Sequence, residues 1–301
     1  MSEQNKPSTF KKMLKMPANF FKGVGQRYRK GRIALFNFWR RKAQVGYVRI
    51  SLSGTFPERE GPAPSFFQSF IPNPLESGSK PMSMQAHNAR LQQMIDAKNL
   101  KGVIFTLDGL AVSLARLQSL RQGFERLKAA DKEVIVTMKS VSIGQLYLAS
   151  AADKIIVPHT ADFSVMGLYS QTMFFKDALA EVGVEMANFQ ISPYKSAVDP
   201  LSKSEASPEF QEQTNWLMDE NWEFLTAGIA AGRGMSQDAF KKIIDEAPHT
   251  APEAHQLGLI DHLAYDDEIE HLLFEPQTDE EKAADKTIPV SYTHLTLPTK
   301  A

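Results

Sequence analysis

Few residue types in this sequence could carry covalent chemistry, and their spacing excludes most of the usual ways of doing it. Six of the seven histidines, His87, His159, His249, His255, His262 and His271, never stand four residues apart, so no helical turn offers two imidazoles to one metal ion. The seventh, His294, lies in the terminal segment considered below. With no cysteine there is neither a thiolate nucleophile nor a thiolate metal site nor a disulfide. No G-x-S-x-G elbow, P-loop or G-x-G-x-x-G run occurs, so the hydrolase elbow and the nucleotide folds lose their support. The expectation is a site without metal or cofactor. What remains is hydroxyls and lysines. A free lysine, with a pKa near 10.4, is almost fully protonated at neutral pH and accepts no proton. Lowering it by about three units needs roughly 4 kcal/mol of differential desolvation, which a site closed by a neighbouring domain could supply. On residue type alone, any single lysine here reads as a solvated surface charge.

The elements that would position such residues follow from periodicity. Tyr47 to Leu52 alternates as a strand and stops at Ser53-Gly54, and the Pro-, Ser- and Gly-rich stretch 56–82 reads as a long surface excursion. A helix is expected near 83–98 and an apolar strand at Val103–Leu107. The next helix aligns Leu114, Leu117, Leu120, Phe124 and Leu127 on one face. Further strands are expected at Glu133–Met138, Ile155–Val157 and Met186–Ile191, with helices at 142–153 and 172–182 between them. Short apolar strands alternating with helices predict an α/β fold, a largely parallel sheet covered by flanking helices. Ser207-Pro208 opens a long helix as cap and first residue, and Gly232 and Gly234 close it. Its Trp216, Trp222 and Phe224 read as core or subunit-interface anchors. Short helices are expected at 236–245 and 251–257, and Gly258-Leu259-Ile260-Asp261 closes the domain.

A chain of 301 residues that is 43% hydrophobic and 23% charged can bury one large core. Its net charge of −1 hides a segregation, because residues 1–43 hold twelve Lys or Arg against the single acid Glu3. Those cations interleave with Phe10, Leu14, Phe20, Phe21, Phe36 and Trp39, a pattern suited to an anionic membrane surface or to a solvated tail, and less to nucleic acid. No run approaches the roughly 20 apolar residues that span a bilayer, and no cleavage site follows an apolar stretch. The acidic stretch 265–288 reads as a linker. Pro289–Thr299 (PVSYTHLTLPT) reads as the translation of a transposase-derived sequencing adapter, so 289–301 is expected to show no ordered packing, and the natural chain is expected to continue past 288 into a further domain.

Tyr194-Lys195-Ser196-Ala197-Val198-Asp199-Pro200 (YKSAVDP), followed by Ser207-Pro208, resembles the lysine-bearing segment in the amino-terminal domain of the signal peptide peptidase A (protease IV) family. Gln145–Ile155 resembles the family's helix leading into a strand, and Ala254–Asp261 (AHQLGLID) its closing motif. The match runs over about 45–264 in the family's order. The resemblance implies a crotonase-like domain of the ClpP/crotonase superfamily over 44–264, two such domains in tandem, and cleavage of remnant signal peptides at membranes. It also implies a ring-like homo-oligomer. Within it, Lys195 is the general base, supported by Tyr194, Ser196 and Asp199, and the nucleophilic serine belongs to the second domain.

Two departures fit that division. The family's nucleophile turn aligns with Ser142-Ile143-Gly144-Gln145-Leu146, where Ile143 occupies the nucleophile's place and Ser142 stands one residue off, about 100° around a helix. The family's oxyanion loop aligns with Thr106-Leu107-Asp108-Gly109-Leu110, which keeps one glycine where close approach of backbone N–H groups to developing charge favours two. The isolated chain is therefore expected to be inactive. Two other readings are open: a crotonase-type acyl-CoA enzyme, and a non-catalytic membrane-surface scaffold descended from the peptidase.

Overall fold

A computed structural model describes residues 46–59, 82–274 and 290–292. Residues 1–43, on which the basic-segment expectation rests, lie outside the described residues, as does most of the 56–82 excursion.

The framework is a six-stranded, all-parallel sheet. In chain order its elements are β1 (Tyr47–Gly54), α1 (Met84–Asp96), β2 (Gly102–Leu110), α2 (Leu114–Ala129) and β3 (Glu133–Met138). Next come β4 (Ser140–Ser142), α3 (Ile143–Ala149), β5 (Lys154–Val157), β6 (Asp162–Ser164), α4 (Lys176–Glu181), a 3-10 turn at Ser196–Val198 and α5 (Asp199–Ser202). The last are α6 (Pro208–Arg233), α7 (Gln237–Asp245), α8 (Ala251–Gln256), β7 (His262–Leu263), α9 (Ile269–Phe274) and β8 (Val290–Tyr292). The sheet order is β7-β5-β3-β2-β1-β8, and β4 and β6 form a separate parallel pair. This is the α/β class expected, a parallel sheet with flanking helices.

The strands read as continuous apolar runs because both faces are covered. Val103, Phe105 and Leu107 of β2 and Val134, Val136 and Met138 of β3 turn one way, into the main core beneath α1, α2, α3 and the second half of α6. The predicted face of α2 is used: Leu117, Leu120, Phe124 and Leu127 are buried, and Phe124 stacks on Phe105 with centroids 4.5 Å apart. Each such side chain contributes about 2–3 kcal/mol on leaving water. Ile104, Ile135 and Ile156 turn the other way.

That second face corrects the domain boundary. The 265–288 stretch, expected to be a linker, begins with α9, whose Ile269, Leu272 and Leu273 pack against Tyr47, Ile104, Ile135 and Ile156. Its three apolar residues share one helical face although the surrounding sequence is acidic, and a bare sheet face gives them something to cover. Arg49 pairs with Asp266 at the approach to this helix.

Three other expectations are corrected. Met186–Ile191 forms no strand; it is an irregular segment in which Phe189 and Ile191 are 93% and 95% exposed, with no strand among the described residues to pair with. The helices expected at 142–153 and 172–182 shrink to Ile143–Ala149 and Lys176–Glu181. Val290–Tyr292, inside the tail expected to be unpacked, pairs in parallel with Tyr47–Arg49. The outer edge of β1 offers an unpaired row of N–H and C=O groups, and an extended segment of almost any sequence can satisfy it.

The expected caps of α6 are in place. Ser207 accepts from the Phe210 amide at 3.3 Å, Pro208 is the first residue, and Gly234 ends the helix at φ +65°. Gly232 has a different role from the one expected: it lies inside the helix, where a Cβ would collide with the Ser150 carbonyl, so it allows α3 and α6 to meet backbone to backbone. Among the described residues no helix is long and apolar enough to cross a membrane.

Candidate active site

The lysine segment is mounted on the free half of α6. Only Leu225, Thr226, Ile229 and Ala230 of this 26-residue helix are buried, all in its second half, and Trp222 and Phe224 pack against the core there. The first half stands away from the core, and Trp216 is 68% exposed. Of the three expected anchors, then, two pack and one does not.

Asp199 is the anchor of the loop. Its carboxylate is fully buried and accepts from Gln190 Nε2 at 2.8 Å, Lys203 Nζ at 2.9 Å and Ser207 Oγ at 2.9 Å. Burial pushes this carboxyl up, but the bonds from Lys203, Ser207 and Gln190 outweigh it and hold the group below the usual carboxylate range. The charge is thus kept, because three donors replace the water it lost.

Two glutamine amides hold the backbone on either side of the lysine amine. Gln190 Nε2 also donates to the Lys195 carbonyl at 2.8 Å, and Gln213 Nε2 donates to the Tyr194 carbonyl at 2.7 Å. The Lys195 amide donates to Ser192 O at 3.0 Å. Ser196 Oγ donates to Gln213 Oε1 at 3.4 Å, and Tyr194 donates its phenol to Glu212 at 2.8 Å, which pushes that phenol up. Tyr194, Ser196 and Asp199 are thus each held by partners other than Lys195, namely Glu212, Gln213 and the trio of Gln190, Lys203 and Ser207, and Gln190 links Asp199 to the Lys195 backbone. The lysine side chain itself is exposed, between exposed Tyr194 and Ala197. Alongside runs a groove of about 730 Å³ lined by Tyr194, Ser196, Phe210, Gln213, Trp216 and Leu217.

The aligned nucleophile turn lies elsewhere on α6. α3 packs against α6 where Tyr147 meets Phe224, centroids 5.2 Å apart, and where Gly228 gives way to the Tyr147 ring. From Gln213, the last attachment of the lysine loop, to Phe224 is three turns, about 16 Å of helix axis. At the start of α3, Ile143 is the first helical residue and Ser142 is the cap. Ser142 Oγ accepts from the Gln145 amide at 3.3 Å and the Ser142 amide donates to Gln145 Oε1 at 2.9 Å, a reciprocal capping box. The Ser142 hydroxyl is engaged in starting the helix. Gly109, the last residue but one of β2, has φ +59°, Gly54 at the end of β1 has φ +68°, and Ala111 N donates to Gly54 O at 3.0 Å. The exposed Asp108-Gly109 corner thus has one left-handed residue at the carboxyl edge of the sheet.

Sequence reasoning missed Gln190, Gln213 and Lys203. Gln190 was hidden inside an expected strand, and Gln213 carries no signal beyond lying in the second turn of α6. It also missed Arg121, whose half-buried guanidinium donates to the Tyr147 carbonyl, to Ser150 Oγ at 2.7 Å and to Gly228 O at 3.0 Å, and lies 4.7 Å from the centre of the Tyr147 ring. Burial lowers the Arg121 pKa, Tyr147 and Glu125 oppose this, and the group ties α2 to α3 and α6.

The model of peptidase family S49 matches residues 126–276. A chloroplastic serine protease SPPA of Arabidopsis thaliana is 25% identical over 176 residues, 58% of this chain and 26% of that protein. Protease 4 of Haemophilus influenzae is 28% identical over 149 residues, 49% of this chain and 24% of that protein. The chain thus spans about a quarter of the length of these relatives. Among solved structures, the ClpP protease catalytic domain from Plasmodium falciparum is similar at a TM-score of 0.36 and 9% identity, over 77% of this chain and 90% of that one.

Proposed function

Since the chain belongs to peptidase family S49, we propose that it contributes Lys195 as the general base of a serine/lysine endopeptidase of the signal peptide peptidase A type, and that a further domain outside this sequence contributes the nucleophilic serine. The observation that carries this reading is the contrast at Lys195: its backbone neighbours are held by Gln190, Gln213 and the buried Asp199, while its amine stands exposed beside an apolar groove. A fixed loop with an open amine suits a base completed by something that docks on it.

The arm that bears the loop also exposes Phe189, Ile191, Tyr169 and Trp216, more apolar surface than a solvated face needs. A partner domain or a second copy covering it would desolvate Lys195, favour the neutral amine and bring a serine within reach. The amine would then take the serine hydroxyl proton as the oxygen attacks a peptide carbonyl, and return it to the leaving amine as the peptide bond breaks. Water would release the acyl group from the serine. The proposed substrates are remnant signal peptides, and the twelve cations of residues 1–43 would hold the enzyme on an anionic membrane.

A second reading, a non-catalytic scaffold, is favoured by Ile143 in the aligned nucleophile position and by the capping role of Ser142. The two separate in one assay of a quenched signal-peptide substrate, using the chain alone, the chain joined to its second domain, and the joined Lys195→Ala protein. The chain alone should be inactive and the joined enzyme active. Lys195→Ala should lower kcat at least about a hundredfold with little change in KM. Cleavage by the chain alone, or full activity of the joined variant, would overturn the division of labour. An inactive joined enzyme would favour the scaffold.

A further inference from the structure

His87 is a buried titratable group with no place in the chemistry proposed above. It lies on α1, 1% exposed, beside the buried Met84, Leu91 and Met94. The Phe56 ring meets it edge-on, centroids 5.8 Å apart at 82°. Across from it on α2 stands Gly123, where even an added Cβ would lie 3.9 Å from Nε2. That nitrogen is buried and has no hydrogen-bond partner among the described residues.

Among the described residues, the charges that act on it are both positive. From α1 comes Arg90 and from α2 Arg126, both disfavouring a second positive charge. Arg126 Nη2 donates to Asn88 Oδ1 at 2.7 Å. The segment 55–59 turns the apolar Phe56 ring toward the imidazole, and its Glu58 carboxylate lies 3.8 Å from Arg116 on α2. The same segment is tied to the start of α1 by Met84 N to Pro57 O at 2.8 Å and Gln85 N to Glu58 O at 3.2 Å. Phe56 and α1 are thus one unit, seated on α2 around a neutral imidazole.

We propose that His87 makes this seating acid-labile: protonating the imidazole loosens α1 and the 55–59 segment from α2 ahead of the rest of the core. Among the described residues a charged imidazole would have no acceptor for its Nε2–H and no counter-ion, and two guanidinium groups would stand nearby. Burial, with Arg90 and Arg126 adding to it, pushes its pKa down to about 4 from the ordinary 6.5. With the seated value depressed, the seated state keeps its full stability above pH 6.5. It loses stability as pH falls from 6.5 toward 4, and the loss levels off below that.

The test is amide hydrogen exchange on the full chain at pH 7.5 and pH 5.0, corrected for intrinsic rates. In the wild type the opening constant of the Leu91–Ile95 amides should rise about 30-fold between the two pH values, and that of β3 should not. In His87→Leu the rise should vanish. No rise at α1, an equal rise in β3, or an unchanged rise in His87→Leu would each overturn the proposal. If the variant does not fold, titration of the His87 ring protons in the wild type decides: a midpoint below pH 5 supports the proposal, and one near 6.5 overturns it.

Discussion

The hydroxyl of Ser207 donates to Asp199 at 2.9 Å and accepts from the Phe210 amide at 3.3 Å, so a single oxygen both starts the 26-residue α6 and anchors the lysine loop. The geometry of Lys195 is thereby tied to that of the helix that carries it. A loop pinned in this way can present an exposed amine without a core of its own.

Ser207→Ala should test that coupling. The change removes a helix cap and one of three donors to a buried carboxylate, and it should cost about 1–2 kcal/mol in urea unfolding, whereas Ser207→Thr, which keeps the hydroxyl, should recover most of that stability. A cost within experimental error would mean that the helix start is held by other contacts.

Asp199 should show in the acid limb of the stability curve. Its folded pKa is depressed, so its contribution is complete above the unfolded value of 3.8 and is lost as pH falls through the folded value. Asp199→Asn should lower the Tm at pH 7, where Lys203 and Ser207 lose a charged acceptor, and should flatten the decline below pH 4. Parallel wild-type and variant curves across that range would remove Asp199 as the anchor.

Gly232 inverts a familiar rule. Alanine in place of glycine inside a helix usually stabilises it by about 1 kcal/mol, but here the new methyl would strike the Ser150 carbonyl where α3 crosses α6. Gly232→Ala should therefore destabilise the chain by about 1–3 kcal/mol. Unfolding at a higher Tm would show that α3 and α6 can separate without cost.

The basic segment makes a prediction from charge alone. Residues 1–43, with twelve cations among aromatic residues, should sediment with anionic vesicles at low salt and release at high salt, because lipid-surface attraction falls off within a Debye length. Equal binding to neutral vesicles would argue against an electrostatic anchor.

Local pattern was enough to determine a good deal of this protein. The alternation of β1, β2 and β3 with α1 and α2, the buried stripe of Leu117, Leu120, Phe124 and Leu127, and the Ser207-Pro208 start of α6 are short-range features written in residue order. The YKSAVDP segment identified the lysine worth attention, since a motif is also local. Tertiary structure decided what covers what. Met186, Phe189 and Ile191 have strand-like composition but no strand among the described residues beside them, and they remain on an exposed arm. Ile269, Leu272 and Leu273 sit in acidic sequence, yet a bare sheet face makes them a helix that belongs to the domain. Gln190 and Gln213, unremarkable in the sequence, become the clamps of the lysine loop because α6 brings a residue 18 positions beyond Lys195 back to its neighbour's carbonyl. The physical reason is the same in each case: periodicity records which side of an element is apolar, whereas burial and hydrogen bonding depend on partners distant in the chain.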